Sequence, residues 1–104
     1  MIRQYDVCRN IDKATVGRIP YFVVLQSDLL DGLNTTIVAP LIRSGDRTTI
    51  SKINPQVRVA GKEYFVSVPA LAGISNQQLG PVVANLGGDH SKFIAAIDLL
   101  FTGF

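Results

Sequence analysis

The sequence predicts a mainly β fold of the α+β class: a small, barrel-like sheet of antiparallel strands with one C-terminal helix packed on it. Three observations lead there. Short runs rich in aromatic and β-branched residues recur, each bounded by turn formers. The stretch QVRVAGKEYFVSVP carries a hairpin signature, two such runs around a short loop containing glycine. Only one long segment, between Gly88 and Gly103, is free of Gly and Pro and has a helical period.

Taken in order, residues 2–9 (IRQYDVCR) alternate Tyr5 and Val7 with polar neighbours and read as a first strand. NIDKATVG, ending at Gly17, reads as a loop. IPYFVVLQS, residues 19–27, is a second strand whose continuous apolar run predicts burial on both faces, with Pro20 at its start, where a strand tolerates proline. In SDLLDGLNT the turn formers Asp28, Asp31, Gly32 and Asn34 surround Leu29 and Leu30. Two leucines in a turn either plug the core or form a surface patch; the pattern leaves both open. TTIVAPLI, residues 35–42, is a third strand in which Pro40 predicts an edge position or a bulge. Residues 43–56 are polar, with one short strand expected around Thr48 to Ile53. The hairpin follows. Residues 69–80 read as loop, and PVVANLGG, residues 81–88, as either a short strand or a turn.

The helix begins after Gly87-Gly88, with Asp89 suited to the N-cap and Gly103 to the stop. At 100° per residue, Phe93, Ile97, Leu100 and Phe104 share the core sector, with Ile94 and Phe101 beside it. Opposite lie Ala95, Asp98, Thr102 and, to one side, Leu99. An ordinary surface helix carries Lys and Glu there; this nearly uncharged outer face is a candidate docking surface.

The totals narrow the function. A chain of 104 residues is expected to form one domain, residues 1–104. Hydrophobic content of 47% against 17% charged excludes a disordered chain and points toward self-association. A net charge of +2, from scattered basic residues, is too small to argue for nucleic acid. One Cys and one His make no disulfide and no four-ligand metal site, so no metal or cofactor is expected. No leader-like or membrane-spanning run is present, which predicts the cytoplasm. Six of the eight acids fall in turns or at the helix cap, where Asp serves structure. His90 reads as an exposed helix-start residue and Cys8 as a packed, inert thiol. One constellation, RSGDRTT at residues 43–49, offers an alternative: Arg43, Asp46, Arg47 and two threonines could hold a phosphate and activate a ribose hydroxyl, as a small ribonuclease requires. A solvated loop of mixed charge explains the same residues.

Three stretches carry a family resemblance. FVVLQSDLLD (22–31), TTIVAPL (35–41) and VANLGGDHSKFIAAIDLLFTGF (83–104) resemble the CcdB toxins of type II toxin–antitoxin modules, whose chains have a Gln-Ser-Asp run followed by two aliphatics and Asp, and a C-terminal helix ending in an aliphatic-Phe-x-Gly-aliphatic tail. The likeness spans the chain and is specific at its two ends; residues 43–80 match loosely. It implies an SH3-like barrel with a C-terminal helix and a homodimer that is not an enzyme. It also implies binding to the A subunit of DNA gyrase, trapping it on cleaved DNA, and neutralisation by a cognate antitoxin of the CcdA kind through a segment disordered when free. Operator DNA would be reached only through the toxin–antitoxin complex, which represses its own operon. The gyrase-binding positions carried over are Leu29, Leu30, Asp98, Phe101, Thr102, Gly103 and Phe104; the resemblance names no antitoxin-binding residue here. This chain departs from the family at Thr102, where the best-known members have Trp, and at Asp98, where they have Asn; Phe104 is larger than the usual terminal aliphatic. SH3-like toxins include mRNA-cleaving members, so a ribonuclease, or a non-toxic relative that only binds antitoxin, stands as the alternative.

Overall fold

The computed structural model describes residues 2–43 and 51–103. Seven strands form one antiparallel sheet: β1 (Asp6–Asn10), β2 (Tyr21–Val24), β3 (Thr35–Arg43), β4 (Gln56–Val59), β5 (Lys62–Val66), β6 (Ala72–Ser75) and β7 (Leu79–Asn85). The order is β4-β5-β3-β2-β1-β7, and β6 also pairs with β3. The sheet curls into a half-barrel, and one helix, α1 (His90–Thr102), packs against it. This is the SH3-like α+β architecture.

Strand alternation splits the apolar residues between two faces. Val7, Val23, Ala39, Leu41, Val59 and Val66 point to the side covered by α1, where Phe93 and Ala96 complete the main core. Their neighbours Cys8, Val24 and Val38 point the other way and form a smaller cluster with the partly buried Ile2, Phe22, Ile74 and Leu79. The two-sided burial expected of the second strand is therefore present at Val23 and Val24.

Several expectations are corrected. The first strand starts only at Asp6, because Tyr5 adopts φ 67° and turns the chain. Pro40 is neither at an edge nor at a bulge. It lies in β3, the most connected strand, at the point where one side of β3 changes partner: Thr35–Val38 pair with β6, Leu41–Arg43 with β5. Its carbonyl accepts from the Ser67 N–H at 2.9 Å, just where neither strand needs an amide donor from residue 40. Residues 69–80 are not loop: they hold β6, the start of β7 and two short 3-10 turns. Small residues hid these strands, since Ala72 and Gly73 carry no apolar signal. PVVANLGG resolves as strand through Asn85. The β4–β5 hairpin forms as expected, closed by Ala60 and Gly61, both at positive φ as a two-residue hairpin turn requires. Of the short strand expected at 48–53, only an isolated Ser51–Asn54 bridge falls among the described residues; residues 48–50, and Asp46, Arg47 and Phe104, lie outside them.

The helix keeps its expected limits. Gly103 caps it at φ 80°, donating its N–H to the Leu99 carbonyl at 3.1 Å. Asp89 occupies the N-cap position, yet its side chain makes no capping bond and pairs with Lys92 at 3.2 Å instead. The buried face is narrower than the wheel predicts, with Phe93 and Ala96 at its centre. Ile94 and Phe101, placed beside the core sector, are exposed. The physical reason is angular: Ile94 and Phe101 stand about 100° and about 80° round the axis from Phe93, outside the arc that the core covers, whereas Ile97 and Leu100, nearer that axis, pack against it. His90 is exposed as expected, but its ring is engaged. Nδ1 meets the hydroxyl of buried Tyr5, whose ring stacks on Phe93 with centroids 5.3 Å apart.

Candidate functional site: an apolar patch between the Leu29–Leu30 turn and the end of the helix

The turn after β2 is built so that its leucines face outward. Residues Asp28–Leu30 form one 3-10 turn. Ser27 accepts at Oγ from the Leu29 N–H at 3.2 Å, and its carbonyl accepts from the Leu30 N–H at 3.0 Å. Asp28 accepts at Oδ1 from the Gln4 N–H at 2.7 Å, tying the turn to the N-terminal segment. Gln26 does most of the bracing. Its Nε2 donates to the Leu30 carbonyl at 3.1 Å while its Oε1 accepts from the Ile37 N–H at 3.1 Å, so one amide holds the turn to β3. Each polar residue of the Gln-Ser-Asp run thus satisfies backbone groups within the turn or ties it to its neighbours. The leucines are left over. Leu29 is 91% exposed and Leu30 50%, which settles the open question in favour of a surface patch.

The end of α1 arrives beside this turn. Leu30 and Phe101 line one shallow groove of about 330 Å³, together with Ile37, Leu71 and Ile97. Phe101 is 68% exposed, a large aromatic held against water where a folded monomer gains little from it. Asp98 sits one turn before Phe101, exposed, and its carbonyl accepts from the Thr102 hydroxyl at 2.6 Å. Thr102 and Gly103 are exposed at the tip. The structure therefore brings Leu30 and Phe101 onto one surface, with Leu29 beside Leu30 in the turn and Asp98, Thr102 and Gly103 beside Phe101 on the last helical turn. Of the carried-over positions Phe104 alone lies outside the described residues.

Sequence reasoning missed Ile37, Leu71 and Gln26. Ile37 shares its phase in β3 with buried Ala39 and Leu41, so the strand pattern predicts burial; it is exposed beside the end of α1 instead. Leu71 follows the short 3-10 turn Val68–Ala70 inside a segment read as loop, and nothing in the pattern marked it.

The chemistry of the patch is that of contact. It offers aliphatic and aromatic surface with a polar rim, the anatomy of a protein-binding site. Among the described residues no cluster of three or more His, Cys, Asp or Glu could hold a metal ion. Cys8 is fully buried, and burial first, then the nearby Asp6 carboxylate, push its thiol up to about 11. It is a packing residue, as expected. Among the described residues no helix is long and apolar enough to cross a membrane.

A small curled sheet thus braces two leucines and a helix tip into one exposed apolar surface. The family model described as CcdB protein matches residues 4–103, and the chain belongs to that family, whose members are toxins of toxin–antitoxin modules acting on DNA gyrase. No curated protein matches the chain closely enough to add to this.

Proposed function

We propose that this protein is a gyrase-poisoning toxin that docks on the A subunit of DNA gyrase through Leu29, Leu30, Asp98, Phe101, Thr102, Gly103 and Phe104, and traps the enzyme on cleaved DNA. It works by binding and catalyses no reaction. It acts as a homodimer, is neutralised by a cognate antitoxin of the CcdA kind, and reaches operator DNA in the repressing complex with that antitoxin. The observation that carries the reading is the shared groove of Leu30 and Phe101. Two segments 71 positions apart expose large apolar side chains on one surface, and the Gln26 amide is spent on holding one of them there.

Thr102 in place of the family Trp removes a large aromatic, the residue type most enriched at interface hot spots. Phe101, exposed beside it, supplies aromatic area at the same helix tip. The test is a cleavage assay with purified gyrase, supercoiled plasmid and ATP. Linear DNA released by detergent and protease only when the protein is present is the expected result. Folded protein that yields no linear DNA sinks the reading and turns attention to the ribonuclease alternative, for which RNA cleavage dependent on Arg47 is the corresponding assay.

A further inference from the structure

The turn that presents the leucines has a second, polar side. A pocket of about 190 Å³ lies against it, lined by Gln4, Asp28, Asp31, Thr36 and Asn76 and, where it adjoins the apolar groove, by Gln26 and Ser27, which line both. The neutral polar side chains of this pocket are already engaged. Gln4 Nε2 donates to the Leu25 carbonyl at 3.2 Å, the Thr36 hydroxyl donates to Asn76 Oδ1, and Asn76 Nδ2 donates to the Leu33 carbonyl at 2.9 Å. Gln26 and Ser27 hold the leucine turn. What is left over is carboxylate. Asp28 commits Oδ1 to the Gln4 N–H. Asp31 is exposed, and among the described residues its side chain meets no hydrogen-bond donor and no cation. No Lys or Arg lines the pocket or the groove. Asp98, exposed on α1 a turn before Phe101, carries the same sign of charge.

We propose that the pocket receives a basic side chain, Arg or Lys, from the protein that docks on the apolar patch, and that Asp31 makes the patch selective for a positively charged partner surface. The inference rests on the reading of that partner as the gyrase A subunit and adds the charge its surface must bring. While the protein is free, exposed carboxylates are satisfied by water. A partner seated on Leu30 covers the neighbouring pocket and displaces that water. An uncompensated carboxylate in an interface is costly, and a cation that enters with the partner offsets the cost. Spare capacity that is all acceptor admits a guest made of donors, and the heads of Arg and Lys are donors throughout. A volume of about 190 Å³ suits one such head and falls short of the roughly 300–1,000 Å³ of small-molecule sites. Two carboxylates are also too few for a bare metal ion: among the described residues no group of three or more His, Cys, Asp or Glu could hold one.

The experiment is surface plasmon resonance against immobilised, purified gyrase A subunit at about 100 mM KCl, where exposed charges act over about 10 Å. The parent protein should bind, and Leu30→Ala should weaken it. Asp31→Asn, which keeps the shape and removes the charge, should weaken binding about tenfold, and Asp31→Lys should weaken it further. Glu63→Gln makes the same change of net charge on β5, outside both the pocket and the groove, and should leave affinity unchanged. Urea midpoints of the Asp31 variants should match the parent's, because among the described residues this side chain bonds nothing in the fold. A parent protein that does not bind removes the gyrase reading and this inference together. Binding that Leu30→Ala weakens but both Asp31 variants leave intact keeps the gyrase reading and overturns this inference. So does a loss as large in Glu63→Gln as in Asp31→Asn, which would trace to net charge and not to the pocket.

Discussion

The two ends of α1 are made of similar residues and do opposite things. Phe93, in the first half, is fully buried and stacked on Tyr5. Phe101, two turns on, is 68% exposed. Both are phenylalanines on one helix, and the direction each faces distinguishes them: eight residues apart, they stand about 80° apart round the axis. The difference teaches that apolar side chains on a helix divide into those that hold the fold and those that the fold holds out. The second kind is the better guide to a partner.

The comparison can be broken most forcefully at its buried end. Phe93→Ala should cost about 3–5 kcal/mol. Urea unfolding followed by far-UV circular dichroism should show a midpoint far below that of the parent protein. If the midpoint barely moves, the helix is not anchored where its contacts say it is. At the exposed end, Phe101→Ala should change stability by no more than about 0.5 kcal/mol. On the proposed function it should weaken binding to the gyrase A subunit by about 2 kcal/mol, roughly thirtyfold. Calorimetry separates the two effects, and an unfolding loss as large as the binding loss would erase the distinction between the ends.

Gly103→Ala probes the boundary between them. At φ 80° an alanine pays about 1 kcal/mol for the left-handed conformation, and the bond to the Leu99 carbonyl weakens with it. The helix tip should fray, raising amide exchange at Leu99 to Gly103 while exchange near Phe93 stays slow. A last effect, confined to alkaline pH, concerns the sheet face away from α1. The folded Cys8 thiol titrates near 11, above its ordinary 9.0, so the folded state keeps a proton that the unfolded chain gives up. Its contribution is complete below about pH 9 and is lost as pH rises through about 11. The urea midpoint should therefore fall between about pH 8 and pH 10.5, and Cys8→Ala should remove part of that fall. An unchanged pH dependence in the variant would mean that other groups carry it.

Elements with a strong local signature were legible in the sequence. The hairpin at Ala60-Gly61, β3, and the helix from His90 to Thr102 follow from turn chemistry, β-branched runs and the 3.6 period. β6 was not legible. AGIS has neither alternation nor bulk, and it becomes a strand because the first half of β3 has a free side to pair with. Tyr5 was misread for a related reason: apolar alternation cannot report a positive φ that tertiary bonds to Val24 and Leu86 impose. For the site, Leu29, Leu30 and the helix tip stood out as apolar residues in polar places, and the Gln-Ser-Asp run marked the turn. What Gln26 does there was invisible, because its partner Ile37 lies eleven residues away on another strand.

By itself, then, the sequence determined which segments are strands or helix wherever local sterics and periodicity suffice, and it set apolar residues such as Leu29 and Leu30 in polar surroundings. Only the tertiary structure decided which apolar residues are left exposed. Burial is a property of what lies opposite a side chain. The helical period places Phe101 beside the face of Phe93, and only the packed structure shows that the covered arc stops between them.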